Sequence, residues 1–566
     1  MISRSNLLFL SAISLLPAPS LVDGASRAPV KSHNGMVVSA DSMASAAGID
    51  VLRQGGNAVD AAVAVGFVLA VTYPEAGNIG GGGFMVIRMA GGEATMIDFR
   101  ERAPAAASEE MYLDGRGNPI REKSLTGPLA AGVPGTVSGF MTALNEYGRL
   151  GREAVMRRAL ELAEDGFPVS EHLARILREE MPRFSLFPST LRAFTRGGEP
   201  YRWGDTLRQA DLAATLRAII QRGSEGFYEG DVATRIVAEM KRSGGIISGE
   251  DLQDYESVER DPLRGSYRGY EVITAAPPSA GGVTVLQVLN CLERFDLRSM
   301  GWNSSRAVHA FAAACQRSFA DRAAYLGDPD YVPVPVRMLI SKEYAAMRMA
   351  GFDSLRALHS PQVGAGGEVA GAAPQTTHYC VADQFGNVVS VTFTLNSLFG
   401  CKTVVDGAGF FLNDEMDDFA VKPGAVNLYG LPGGTANAIE PGKRMLSSMA
   451  PTILVKGGRP FLVVGARGGS RIPTAVAQVI SNVVDFGMNI QEAVDAPRVH
   501  EQWIPDSLLY EKRGLEADVL RNLGSMGYVL EEIESSAEAE AMLVDFAAGW
   551  KYGGADPRED AFAIGY

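Results

Sequence analysis

Short apolar runs recur along the chain with the character of buried strands: "FMVIRM" at 84–89, "YEVITA" at 270–275, "THYCVAD" at 377–383, "NVVSVTFTL" at 387–395, "PTILVKG" at 451–457 and "RPFLVVGA" at 459–466. Between them, "MASAAGIDVLRQ" at 43–54, "EAVMRRALELAEDGF" at 153–167 and "IPTAVAQVISNVVDFG" at 472–487 place apolar residues three and four apart, which predicts helices. The run from Ala58 to Val71 is too short to span a bilayer and carries Asp60, so a buried helix is expected there. No fixed repeat joins these segments, and the pattern predicts α and β elements in packed layers.

One tract breaks the pattern. Ser360 to Pro374, "SPQVGAGGEVAGAAP", has too few large apolar residues to order itself by burial and is predicted to be a mobile surface segment. Regular structure resumes at once, with two strands flanking "DQFGN", whose Gly386 and Asn387 suit a turn needing positive φ. With the turn centred on Phe385, paired positions sum to 770, which sets Thr376 opposite Thr394 with both side chains on one face. A threonine hydroxyl becomes a nucleophile at neutral pH only when a base takes its proton, and a free α-amine on the same residue is such a base. Freeing that amine requires cleavage of the Gln375–Thr376 bond. On geometry alone, a linker leading into an ordinary β-branched strand explains the same residues.

The chain has 566 residues, 46% hydrophobic and 21% charged, a globular composition. Its net charge of −14 supplies no basic field for phosphate backbones or anionic lipid, which argues against nucleic-acid binding. The amino terminus has an early Arg4, an apolar run from Leu7 to Leu16, and small residues near Gly24 and Ala25; this order predicts a secretory signal over 1–24, export to the periplasm or medium, and no anchor after its removal. Four cysteines and six scattered histidines show no metal-ligand spacing, so no metal is expected. Gly80 to Gly83 lack the lysine and spacing of a phosphate loop and predict close backbone packing instead. "NDEMDDF", Asn413 to Phe419, lacks the EF-hand pattern and reads as an acidic cluster awaiting a cation, an organic one included.

Together, "GGNAVDAAVA", "PEAGNIGGGGFM", "DFRERAP", "YLGDPDYV", "QTTHY", "TLNSLFG", "NDEMDDF", "LSSMAPT" and "GGSRI" closely resemble the γ-glutamyltranspeptidase family of N-terminal nucleophile hydrolases. The resemblance covers nearly the whole chain after the signal. It implies an α+β fold, a four-layer αββα sandwich, made as one precursor that cuts itself between Gln375 and Thr376. A large chain, 25–375, with its flexible tail at about 360–375, and a small chain, 376–566, then form a heterodimer. The implied substrates are glutathione and other γ-glutamyl compounds, with water, amino acids or peptides as acceptors and no cofactor.

Residue by residue, the resemblance makes Thr376 the nucleophile, Thr394 its hydrogen-bonding neighbour, and Gly468 and Gly469 the oxyanion hole. Arg100, Ser447 and Ser448 match positions that bind the α-carboxylate; Asn396, Glu415 and Asp418 match those that hold the α-ammonium. The Pro-, Gly- and Asn-rich stretch at 421–444 resembles a lid with Tyr429 at its gating position. Two departures stand out. Met445 replaces a usual proline and is expected to loosen the serine loop, and Ala466-Arg467 replaces a usual Ser-Pro pair, putting a cation beside the glycines that is expected to alter leaving-group or acceptor preference. The alternatives are a glutaryl or cephalosporin acylase on the same scaffold and an exported glutamyl-peptide-binding protein without turnover.

Overall fold

The computed structural model describes residues 26–363 and 376–566. The signal expected at 1–24, Gln375 and most of the tract at 360–375 lie outside the described residues. Of that tract, Ser360–Val363 forms one helical turn, and Ser360 is buried against the carbonyl of Trp503 and the Asp506 carboxylate, so the regular chain extends past the predicted start of the loose segment.

The fold is α+β, built on two seven-stranded antiparallel sheets. The first runs, edge to edge, Val30–Ser32, Trp550–Gly554, Glu538–Asp545, Arg459–Arg467, Thr452–Lys456, Tyr270–Thr274 and Leu263–Tyr267. The second runs Phe562–Gly565, Met36–Ser39, Thr377–Ala382, Val388–Thr394, Gly82–Arg88, Ala94–Asp98 and Val258–Arg260.

The period of two along these strands decides what packs where. Tyr379 and Val381 join Val37, Met85 and Ile87 in one core with the helices Ser42–Arg53 and Ala58–Thr72. Their alternates Cys380 and Ala382 join Val38, Phe84 and Val86 in the other core, with Ile453, Val463 and the helices Ala280–Leu292 and Ile472–Val484. The central strands are therefore buried on both faces, which is why they read as continuous apolar runs. The two sheets touch directly: Ser390 Oγ donates to the Val464 carbonyl at 3.3 Å.

The helix Ala58–Thr72 is buried along its entire length, as its sequence predicts. Asp60 is tolerated inside it because it is the third residue of a capping box: its carboxylate accepts the Asn57 N–H at 2.8 Å and the Arg149 and Leu150 N–H groups at 2.9–3.0 Å. Gly66 on this helix leaves room for the next layer, since a Cβ there would lie 2.4 Å from the Phe140 ring. Any larger residue would force the helix off the sheet. No helix among the described residues is long and apolar enough to cross a membrane.

Candidate active site

The hairpin has the predicted register: Thr377 pairs with Phe393 and Ala382 with Val388, so paired numbers sum to 770. Continued by one position, it sets Thr376, at the start of the strand, opposite Thr394; the two are 3% and 4% exposed. The register is held by Asp383, whose Oδ1 accepts the N–H groups of Phe385, Gly386 and Asn387 at 2.8–2.9 Å. Gly386 supplies the positive φ, +98°, that closes the turn.

Thr394 opens onto the rest of the site. Its Oγ1 accepts the Asn396 N–H at 2.8 Å, and Asn396 Nδ2 donates to the Asp414 carbonyl at 3.0 Å, at the head of the acidic segment. The strand approaches its neighbour through Gly80 to Gly83 as closely as expected: a Cβ on Gly81 would lie 2.0 Å from the Thr394 carbonyl oxygen. These glycines serve backbone packing.

Arg100 is fully buried and draws the acids together. Its Nη1 lies 2.6 Å from Glu415 and 3.4 Å from Glu101, its Nη2 lies 2.5 Å from Asp418, and its Nε donates to the Met445 carbonyl at 3.2 Å. Three carboxylates thus face one guanidinium. Burial pushes Glu101 up to about 7 against the pull of Arg100, and burial with repulsion from Glu101 and Asp418 raises Glu415 well above the carboxylate range despite that same pull. Neither Glu415 oxygen accepts a well-aligned hydrogen bond. The cluster has an excess of acceptors that an ammonium, which offers only donors, would satisfy. The acidic segment thus packs on Arg100, and Glu101, which sequence reasoning passed over, sits in the same cluster; its signal was the second acid of "DFRER".

Ser447 lies next to this cluster, one residue past Leu446, whose carbonyl is 3.4 Å from Arg100 Nη2. Met445 does not loosen the serine loop as expected. Its side chain is buried with Tyr112, Met416 and Phe419, its carbonyl binds Arg100, and the loop is pinned by Ser447 N–H to the Pro278 carbonyl at 2.9 Å and Ala280 N–H to the Ser447 carbonyl at 2.7 Å. Ser448 is buried beside it, its carbonyl against Gly281.

The stretch 421–444 closes over the site. Tyr429 OH lies 2.8 Å from the carbonyl and 2.7 Å from the side-chain oxygen of Asn396, and its ring packs on Gly469, where a Cβ would come within 2.4 Å. Asn427 donates to Asp418 at 2.9 Å, so this stretch also holds an acid of the cluster. Gly468 and Gly469 follow the strand Arg459–Arg467 at φ +136° and +54°, conformations that favour glycine, and lead into the helix Ile472–Val484.

Arg467 is placed beside the glycines, but its charge is engaged: Nε lies 3.2 Å from Glu538 and Nη2 2.6 Å from Glu559. Glu559 continues to Tyr73 OH at 3.0 Å and His172 at 3.5 Å, and His172 reaches Glu75 at 3.0 Å. Burial would lower His172, yet the Glu75 carboxylate brings it up to about 9. The structure therefore brings Thr394, Asn396, Tyr429 and Gly469 into one chain of contacts, with Thr376 one position before the strand that pairs with Thr394's strand and Gly468 adjoining Gly469, and joins Arg100, Glu415, Asp418 and the serine loop to it through Asp414 and Asn427. The four cysteines are buried and unpaired.

Comparison with known proteins agrees on one family. The profile of the family described as Gamma-glutamyltranspeptidase matches residues 44–566. The "Glutathione hydrolase proenzyme" of Escherichia coli (strain K12) is 46% identical over 564 residues, 98% of this chain and 96% of that protein. The "Acylase ACY 1 proenzyme" of Pseudomonas sp. (strain V22) is 38% identical, over 91% of this chain and 90% of that protein. Among solved structures, cephalosporin acylase from Bacillus halodurans superposes with a TM-score of 0.84 at 27% identity, covering 99% of each chain.

Proposed function

The chain belongs to the γ-glutamyltranspeptidase family and is an enzyme that hydrolyses glutathione and transfers its γ-glutamyl group; we propose that it does so through Thr376, after cutting its own chain before that residue. The observation that carries this reading is the continuous contact path from the hairpin to the acid cluster, Thr394 to Asn396 to Asp414 and on to Glu415 and Asp418 with Arg100. It supports a reading in which the nucleophile lies at one end and the charges at the other meet an amino-acid head group.

The donor's α-carboxylate is held by Arg100 with Ser447 and Ser448, since a planar guanidinium binds a carboxylate through two parallel hydrogen bonds. Its α-ammonium is held by Asn396, Glu415 and Asp418. Thr376 Oγ1 attacks the γ-carbonyl carbon, and its proton passes to the residue's own α-amine. The Gly468 and Gly469 N–H groups stabilise the oxyanion. When the tetrahedral intermediate collapses, the C–N bond breaks, the leaving nitrogen takes the proton, and a γ-glutamyl ester on Thr376 remains. Water, or the amine of an amino acid or peptide, attacks the ester; its proton returns through the α-amine to Oγ1 as the C–O bond breaks. Tyr429 and the lid limit the entry of water during this interval.

In this reading the layers are a four-layer αββα sandwich of two interlaced chains, 25–375 and 376–566, and the protein is exported to the periplasm or medium after loss of residues 1–24. Thr394 bonds the nucleophile during self-cleavage. A glutaryl group lacks the α-ammonium, so the excess of carboxylates around Arg100 favours γ-glutamyl over glutaryl donors.

The test is a denaturing gel with N-terminal sequencing of the smaller band, wild type beside Thr376→Ala. The expected result is a wild type in two pieces, the smaller beginning Thr-Thr-His-Tyr, and an uncut variant. A folded wild type that stays whole would remove the base and leave the binding-protein alternative.

A further inference from the structure

The N–H groups that would hold the oxyanion belong to two glycines in succession, the residues with the most backbone freedom to lose. Each is packed from one side: a Cβ on Gly468 would lie 2.7 Å from that of Ala537, and one on Gly469 would lie 2.4 Å from the Tyr429 ring. The direction from which the strand delivers the pair is set one residue earlier, at Arg467.

Arg467 is buried and is the last rung of the pairing between Arg459–Arg467 and Glu538–Asp545, directly opposite Glu538. Its Nε lies 3.2 Å from the Glu538 carboxylate, so the two side chains repeat the pairing of their backbones. Its Nη2 lies 2.6 Å from one oxygen of Glu559, and the guanidinium sits 5.7 Å from the centre of the Tyr73 ring, within reach of a cation–π contact. The other oxygen of Glu559 accepts the Tyr73 hydroxyl at 3.0 Å and lies 3.5 Å from His172, which stacks on Tyr73 and reaches Glu75 at 3.0 Å. The Glu75 carbonyl accepts the Phe399 N–H at 2.9 Å, three residues past Asn396. Contacts therefore run from the end of the oxyanion strand, through residues that precede position 376, to the segment that carries Thr394 and Asn396. A buried ion pair adds little net stability once desolvation is counted, but its geometry is narrowly defined.

We propose that Arg467 is a positioning residue: through Glu538, Glu559 and the Tyr73–His172 pair it fixes the strand end so that the Gly468 and Gly469 N–H groups meet the oxyanion as it forms. The proposal rests on the acyl-threonine mechanism above. It gives Arg467 a part in the rate of acyl transfer itself, in place of the choice of leaving group or acceptor.

The experiment measures hydrolysis of γ-glutamyl-p-nitroanilide and of glutathione, per self-cleaved molecule counted on a denaturing gel. An oxyanion is present only in the transition state and the intermediate, so displaced donors lower kcat and kcat/KM together and leave KM in place. One oxyanion donor contributes about 10²–10³ in kcat. Arg467→Gln shifts donors without deleting them, and its kcat is expected to fall about 10–100-fold, by the same factor for both donors. Arg467→Lys should recover part of the loss, since it keeps the charge without the fork that reaches two glutamates. Glu559→Gln should show the same pattern, and the Arg467→Gln/Glu559→Gln pair should be no slower than Arg467→Gln alone, because both changes cut one brace. Should Arg467→Gln fail to fold or to cut itself, Tyr73→Phe removes a single hydroxyl and keeps every charge; a severalfold fall in kcat at unchanged KM is expected of it. A folded, self-cleaved Arg467→Gln with wild-type kcat would overturn the proposal, as would a change confined to KM, a fall that differs between the two donors, or, where Tyr73→Phe decides, an unchanged kcat. A wild type that neither cuts itself nor releases p-nitroaniline would instead defeat the underlying mechanism, so the two failures are distinct.

Discussion

Glu540 shows how a single buried group can set a pH dependence. It pairs with Gly465 across the first sheet, on the face where a Cβ at Gly465 would meet the His378 ring at 2.2 Å, and neither of its side-chain oxygens has a hydrogen-bond partner among the described residues. Burial foremost, then repulsion from Asp556, pushes its carboxyl up to about 8 against the pull of Arg467. A carboxyl raised in this way favours the folded state fully below its unfolded pKa of about 4.3, and that contribution is lost as pH rises through the folded value. Glu540→Gln keeps the shape and cannot ionise. Its Tm relative to wild type is therefore expected to climb between pH 5 and pH 8.5, by an amount on the order of 3 kcal/mol in stability, and scanning calorimetry at several pH values would detect it; a flat difference would show that Glu540 finds a counter-charge. His378 titrates in the opposite sense, since burial takes it down to about 3. Asp418 and Glu415 were legible in the sequence because they share a short motif. Glu540 was not, because what makes it unusual is its burial beside residues far away in the chain.

At the scale of elements, the hairpin was legible down to its register because a tight turn and a period of two are local properties. What ties it to the rest of the fold was not. Besides the three turn N–H groups, Asp383 accepts the Ala58 N–H at 2.9 Å through Oδ2, so one carboxylate holds the turn and caps the buried helix Ala58–Thr72. Asp383→Ala strips both at once. Hydrogen bonds to a charged group contribute about 1.5–3 kcal/mol each, and their partial replacement by water leaves an expected loss of about 3 kcal/mol or more. The denaturation midpoint should fall and the yield of self-cleaved protein with it, while Asp383→Asn, which keeps an acceptor, should lose less. The stretch 421–444 stood out by its Pro and Gly content, but the seat of Tyr429 on Gly469 and Asn396 follows from tertiary packing alone.

For the whole molecule, each sheet contains strands from both sides of position 376: Met36–Ser39 lies between Phe562–Gly565 and Thr377–Ala382, and Tyr270–Thr274 pairs with Thr452–Lys456. Cleavage at one bond leaves these ladders intact, so the two pieces should co-elute in size exclusion in native buffer and separate only in denaturant; separation without denaturant would contradict the shared sheets. The sequence by itself determined the strand and helix types, the hairpin register, the buried Asp60-bearing helix and the family, because each depends on neighbours a few residues apart or on motifs read together. Only the tertiary structure decided that Arg100 would gather three carboxylates, that Met445 would anchor rather than loosen the serine loop, and that Arg467 would be neutralised by Glu538 and Glu559. Those outcomes depend on which charges, distant in sequence, are brought within a few ångströms after the layers close, where burial multiplies the effect of each contact.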